Sequence, residues 1–122
     1  MLLDSNIVIY AFDPAFAQVT SFLRGRSFSA SVVTQIEVMG FWRLSEEEYE
    51  RFEAFFRAVN VIELSSDVVK EAIALRRMRS MGLADAVIAA TALLNGLPLV
   101  THNTEDFRGL EGLEILDPVT SP

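Results

Sequence analysis

The 122-residue sequence contains no cysteine, one histidine and a single lysine. Without thiols there is no disulfide and no thiolate metal site, and a structural zinc centre of the Cys/His kind is excluded. A chain free of cysteine suits the reducing cytoplasm. Positive charge is also scarce: ten Lys and Arg against seventeen Asp and Glu give a formal net charge of −7 and a pI near 4.6. Such a chain cannot coat nucleic acid with a broad basic sheet. It can still act on nucleic acid if its carboxylates gather around divalent cations. Long hydrophobic runs are missing too. The longest apolar region, Ala86 to Val100, is interrupted by Thr91, Asn95, Gly96 and Pro98 and is too short to span a bilayer. The start, Met1-Leu2-Leu3-Asp4, lacks the basic and long apolar parts of a signal peptide. The expectation is a cytoplasmic protein with no membrane segment. Repeats, low-complexity stretches and Pro/Gly/Ser linkers are absent, which predicts one domain over residues 1–122. Hydrophobic residues make up 51% of the chain, enough for a single core.

What is present reads as short apolar strands alternating with helices. Leu2-Leu3 is a buried strand ending near Asp4, followed by a helix from a Ser5/Asn6 capping pair. Pro14 suits the first turn of a helix from Ala15 to Leu23, ended by Gly25. Phe28-Ser29-Ala30 is a strand candidate, and Ser31 or Thr34 can start a helix holding Ile36, Glu37, Met39 and Trp42. Ser45-Glu46-Glu47-Glu48 is a capping box, and Tyr49, Phe52, Phe56 and Val59 line one face of the helix it opens. Val61 to Leu64 is a strand. A helix capped by Ser65 or Ser66 then carries Arg76, Arg77 and Arg79 near its end and is broken by Gly82. Ala84 to Asn95 is the next helix, stopped by Gly96 and Pro98. Leu99 to Thr101 and Leu113 to Leu116 close as strands. This alternation predicts an α/β domain with a parallel sheet and helices packed on its faces.

Most acids, such as Glu46 to Glu48, Glu50 and Glu53, lie on the polar side of a helix. Four others stand out. Asp4 ends the first strand, where open parallel sheets place their crevice, although it also suits a turn or helix cap. Asp85 stands in the first turn of a helix apolar on every side; it reads as a cap or as a desolvated carboxylate in need of a cation, with Arg76, Arg77 and Arg79 nearest in sequence. Glu37 has Val33 and Phe41 on its own helical face, which leaves open an exposed Glu on a mostly buried helix. Asp106, just past a strand, is also compatible with an Asx-turn or a short helix. Hard oxygen donors of this kind suit Mg²⁺ or Mn²⁺. Crowded carboxylates repel unless cations lie between them, and ions so held can activate water against a phosphodiester without any histidine or nucleophilic side chain.

The residues then match a family. Leu3-Asp4-Ser5-Asn6-Ile7, Glu37 after Ser31 and Thr34, Asp85 to Ala92, Thr101-His102-Asn103-Thr104-Glu105-Asp106-Phe107 and Gly112 to Pro118 together resemble a PIN domain, and within that group the VapC-type toxins. The Asp85 and Asp106 segments, in that order and separation, are the specific part. The resemblance implies a three-layer domain with a parallel, about five-stranded sheet, and a Mg²⁺- or Mn²⁺-dependent endoribonuclease using one or two ions. Asp4, Glu37, Asp85 and Asp106 fall on the family's four acids, with Asp4 and Asp85 as principal metal ligands. Glu37 and Asp106 complete the pocket, binding a second ion or orienting water. Asn6, Thr101 and Asn103 fall on polar positions expected to orient those acids. The resemblance also implies an RNA substrate, a VapB-like antitoxin partner and a homodimer.

Arg76, Arg77 and Arg79 are candidates for RNA phosphate contacts, or cations that complement a helix C-terminus. His102 reads as a surface or packing residue. Phe41, Trp42, Phe52, Phe55 and Phe56 suit core packing, or a groove for antitoxin or a second copy. Other functions compete: a solitary PIN-domain RNA-processing nuclease, an inactive binding module, or a receiver-like signalling domain. The receiver needs a lysine after a late strand, whereas Lys70 lies in a helical pattern. An Asp-x-Asp phosphatase fails because Asn6 takes the second acidic position.

Overall fold

The computed structural model describes residues 1–120. Five short strands form one sheet: β1 (Leu2–Leu3), β2 (Ser29–Ser31), β3 (Asn60–Ile62), β4 (Leu99–Val100) and β5 (Ile115–Leu116). Seven α-helices connect them: α1 (Ser5–Tyr10), α2 (Ala17–Leu23), α3 (Val32–Met39), α4 (Glu46–Ala58), α5 (Ser66–Met78), α6 (Leu83–Leu94) and α7 (Thr104–Phe107). All pairings are parallel, and the strand order is β3-β2-β1-β4-β5. The parallel α/β expectation holds. The order is not the 2-1-3-4-5 of receiver-type domains, so the signalling alternative has the wrong topology.

Alternation along the strands builds three layers. Leu2 and Leu99 face a cluster with Val68, Leu75 and the α6 residues Ala86 to Ala90 and Ala92. Leu3 and Val100 face the other side, against Ile7, Val8, Val19, Leu23, Val38, Phe52 and Phe56. Successive strand residues point to opposite faces, so each two-residue strand contributes to both cores. Helix α6 is buried continuously from Ala86 to Ala92, which explains its lack of a polar face. Helix α4 opens with the expected capping box: Ser45 Oγ accepts from the Glu48 N–H, and the Ser45 N–H donates to Glu48 Oε1 at 3.0 Å.

Several boundaries differ from the sequence reading. Asp4 caps α1, so Ser5 and Asn6 lie inside the helix. Pro14–Phe16 forms a separate 3-10 turn before α2. Helix α3 stops at Met39, with Gly40 as its C-cap: the Gly40 N–H donates to the Ile36 carbonyl, at a place where a Cβ would lie only 2.6 Å from that oxygen, so the turn suits glycine. Trp42 therefore lies outside the helix and is 80% exposed. The third strand is Asn60–Ile62 instead of Val61 to Leu64, and Leu113, Glu114 and Thr101 fall just outside their strands.

Strand β1 connects to β2 on one side and pairs with β4 on the other, so the chain reverses its direction of travel across the sheet between β1 and β4. In open parallel sheets a crevice forms outside the carboxyl ends at such a point. Helix α6 precedes β4 by a short turn and shares a core with Leu2 and Leu99, and its first-turn Asp85 lies within the field of Asp4 at the same edge. Helix α7, only four residues long, leaves that edge after β4 and is pinned by Phe107, which is fully buried in the α5–α6 core. Truncating Phe107 to Ala should cost about 3–5 kcal/mol, read as a lowered urea midpoint at unchanged m-value.

Candidate active site

Asp4 ends β1 and is 5% exposed. Its Oδ1 accepts from the Ser5 N–H at 2.8 Å and its Oδ2 from the Thr101 hydroxyl at 2.7 Å. Burial raises its pKa; the Thr101 and Ser5 hydrogen bonds oppose that, and the Glu37 and Asp106 charges add to it. The Thr101 oxygen also accepts from the Asn103 N–H at 2.9 Å, and the Asn103 side-chain amide donates to Asp106 Oδ2 at 2.7 Å. A continuous polar chain thus runs Asp4–Thr101–Asn103–Asp106 across the junction of β1 and β4. Both Thr101 and Asn103 contact the acids that the resemblance gave them to orient. Asn6 does not: its Oδ1 accepts from the His102 N–H at 3.4 Å, tying α1 to the segment after β4.

Glu37 lies on α3 and is exposed, with its Oε1 accepting from the Ser5 hydroxyl at 2.6 Å. Its neighbours Val33 and Phe41 are half-buried and exposed, so the apolar face expected around it is open to solvent. Asp85 stands in the first turn of α6 but does not cap it; Gly82 holds that position with no side-chain hydrogen bond. Half-buried, Asp85 has its pKa pushed up to about 6, first by desolvation and then by the charges of Asp4, Asp106 and Glu37. Among the described residues, none of the arginines at 76, 77 and 79 pairs with it. The four acids therefore share one electrostatic neighbourhood, and among the described residues none of them forms an ion pair with a basic side chain.

Two features of this site were outside the sequence reading. Ser5, read there as a cap, orients Glu37; the signal was its place directly after Asp4, at the start of a helix leaving the sheet edge. The three arginines also have different surroundings. Arg76 Nε donates to the Met81 carbonyl at 3.1 Å, Arg77 is exposed, and Arg79 donates to the Asp106 and Arg108 carbonyls. His102 packs edge-on to Tyr10, and its Nδ1 lies 3.1 Å from Asp117 Oδ2. Desolvation raises the Asp117 pKa, but hydrogen bonds from Thr120, His102 and the Val119 N–H outweigh it and leave a net lowering.

The donor set at the site consists of carboxylates with neutral hydroxyl and amide partners. Among the described residues, no group of three or more His, Cys, Asp or Glu side chains is arranged to hold a metal ion as it stands. The chemistry nevertheless fits a hard divalent cation. All four donors are oxygen; burial first and mutual repulsion second raise Asp4 and Asp85, and an added cation would relieve the repulsion. Glu37 and Asp106 are exposed, and each carboxylate has one side-chain partner, Ser5 and Asn103 respectively.

A family profile for the PIN domain matches residues 1–113. A chain of a toxin–antitoxin complex from Klebsiella pneumoniae is 32% identical, with 96% of each chain covered and a TM-score of 0.82. A chain of VapBC-1 from nontypeable Haemophilus influenzae superposes with a TM-score of 0.80 at 22% identity, covering 96% of each chain. One of VapBC2 from Rickettsia felis, bound to promoter DNA, gives 0.80 at 20% identity over 95% of this chain and 96% of that one. No curated protein matches in sequence. The chain belongs to the PIN-domain family, whose members are generally nucleases.

Between the ordinary carboxylate pKa near 4 and about 6, folded Asp85 keeps a proton that the unfolded chain releases. The stabilisation from that proton is complete below about pH 4 and disappears as pH rises through about 6. Without metal, Asp85→Asn should therefore melt higher than the parent at neutral pH. The gap should close as the pH falls toward 4, as read by thermal melts in chelator.

Proposed function

We propose that this chain is a divalent-metal-dependent endoribonuclease and the toxin half of a cytoplasmic VapBC-like toxin–antitoxin pair. The observation that carries the reading is that Asp4, Glu37, Asp85 and Asp106 lie in one another's fields at one sheet edge, with none of them in an ion pair among the described residues. The 32%-identical chain of a toxin–antitoxin complex supports the toxin role.

In this reading Asp4 and Asp85 hold a Mg²⁺ or Mn²⁺ ion, and Glu37 and Asp106 hold a second ion or orient the attacking water. The ion supplies Lewis acidity and water activation for phosphodiester hydrolysis. The chain's own residues prepare the site. Thr101 fixes the Asp4 carboxylate by hydrogen bonding Oδ2, Ser5 aims Glu37, and Asn103 holds Asp106 toward the same edge. Asp85 keeps its proton until the pH reaches about 6, so a cation competes with a proton at that carboxylate. At net charge −7 the surface offers RNA little general attraction, and exposed Arg77, with Arg76 beside it on α5, supplies the phosphate contacts.

An antitoxin segment fits the groove of about 420 Å³ between α1, α3 and α4. Ile9, Phe12, Val38, Phe41 and Phe52 line it, with Arg51 and Asp13 among its polar residues. Ile9, Phe12 and Phe41 are 46%, 36% and 51% exposed, an apolar surface suited to an amphipathic helix. The toxin also forms a homodimer in this reading.

Asp85→Asn should abolish Mn²⁺-dependent cleavage of single-stranded RNA while leaving the fold intact by circular dichroism. Cutting at the parent rate would refute the role of Asp85. The Mn²⁺ concentration giving half-maximal cleavage should rise as pH falls below about 6, because protons then occupy Asp85. A half-saturation point constant from pH 5 to about 7 would contradict that competition.

A further inference from the structure

Helix α7 presents Asp106 to the acidic site, yet four residues cannot hold a helix by themselves. Two anchors flank the carboxylate-bearing residue. On the core side, Phe107 is fully buried. On the other, the half-buried Arg79 reaches from the end of α5, where its own backbone is extended at φ −157° and ψ 163°. Its Nη2 donates to the Asp106 carbonyl at 2.8 Å and its Nη1 to the Arg108 carbonyl. These are carbonyls at the C-terminal end of α7, which the helix's own N–H groups do not satisfy. The next residue, Gly109, turns the chain at φ +86°, with the Arg79 guanidinium against it.

We propose that Arg79 is a positioning residue: its two-pronged donation to the Asp106 and Arg108 carbonyls locks α7 so that Asp106 faces the other three acids. A planar guanidinium suits two diverging carbonyls, whereas a lysine ammonium is a point donor on a flexible stem. Arg79 is thereby committed to the protein backbone and is not one of the arginines that meet RNA phosphates. The backbone clamp stands on the geometry alone; its consequence for metal binding rests on the nuclease reading above.

The test compares Arg79→Gln, Arg79→Lys and Arg77→Gln with the parent in three measurements. Deuterium uptake of the segment 104–110 in chelator should be faster in both Arg79 variants and unchanged in Arg77→Gln, with strand peptides unaffected throughout. Mn²⁺ affinity by calorimetry should fall about ten- to a hundredfold in both Arg79 variants, the usual loss when a group orienting a ligand is removed. The salt dependence of binding to a fluorescein-labelled RNA oligonucleotide should be unchanged in the Arg79 variants, whereas Arg77→Gln should lower its slope by about one. Unchanged uptake at 104–110 would overturn the clamp. A slope lowered by about one in Arg79→Gln, with Mn²⁺ affinity intact, would reassign Arg79 to phosphate binding. A parent protein that binds neither Mn²⁺ nor RNA would defeat the nuclease reading, and the exchange measurement would still decide whether Arg79 holds α7.

Discussion

Asp4 is buried at the carboxyl edge of the central strand, and a carboxylate there must be compensated for the strand to form as it does. The compensation it receives is neutral: one hydroxyl from Thr101 and one backbone N–H from Ser5. Those bonds orient the charge without cancelling it. Glu37, Asp85 and Asp106 add negative potential to the same place, and the nearest arginines turn away to backbone carbonyls or solvent. Stability is given up at this edge to keep a concentrated negative field, the field that the proposed divalent ion would occupy. The rest of the domain supplies the burial that tolerates it, chiefly the continuous apolar face from Ala86 to Ala92.

The topology makes this convergence possible. In a parallel sheet every strand delivers its next residue to the same edge, so Asp4 after β1 and Thr101 after β4 arrive side by side. Helix α3 begins directly from β2 and brings Glu37 within reach of Ser5. Helix α6 returns toward β4 and starts at that edge with Asp85. Acids distant in sequence thus become neighbours through strand direction, while a packed core on either face of the sheet supports the edge.

Much of this was legible in the sequence. Alternation of short apolar runs with periodic helices identified the parallel α/β architecture, and the capping box at Ser45 placed the start of α4 to the residue, although Val59, read onto its apolar face, lies just past its end. The acids stood out because Asp4 ended a strand and Asp85 stood in the first turn of a helix apolar on every side. Boundaries set by close contacts were not legible. Helix α3 ends early at the Gly40 C-cap, where the close Ile36 carbonyl leaves no room for a Cβ, and Trp42 is left on the surface, which no periodicity signals. The arginines looked alike as three basic residues near a helix end. Their separation into a turn closure, an exposed cation and a backbone clamp depends on long-range geometry, since Arg79 meets partners 27 and 29 residues away.

In the proposed function, Asp4 just past β1 and one acid each from α3, α6 and α7 capture a divalent ion together. Titrating ¹⁵N-labelled protein with substoichiometric Mn²⁺ tests it most directly, because the paramagnetic ion broadens amide signals according to their distance from it. The account predicts that the signals of Asp4, Glu37, Asp85 and Asp106 and their immediate neighbours vanish first, while those of the glutamates opening α4 remain sharp. Broadening centred on Glu46 to Glu48, or spread evenly over the acidic surface, would contradict it.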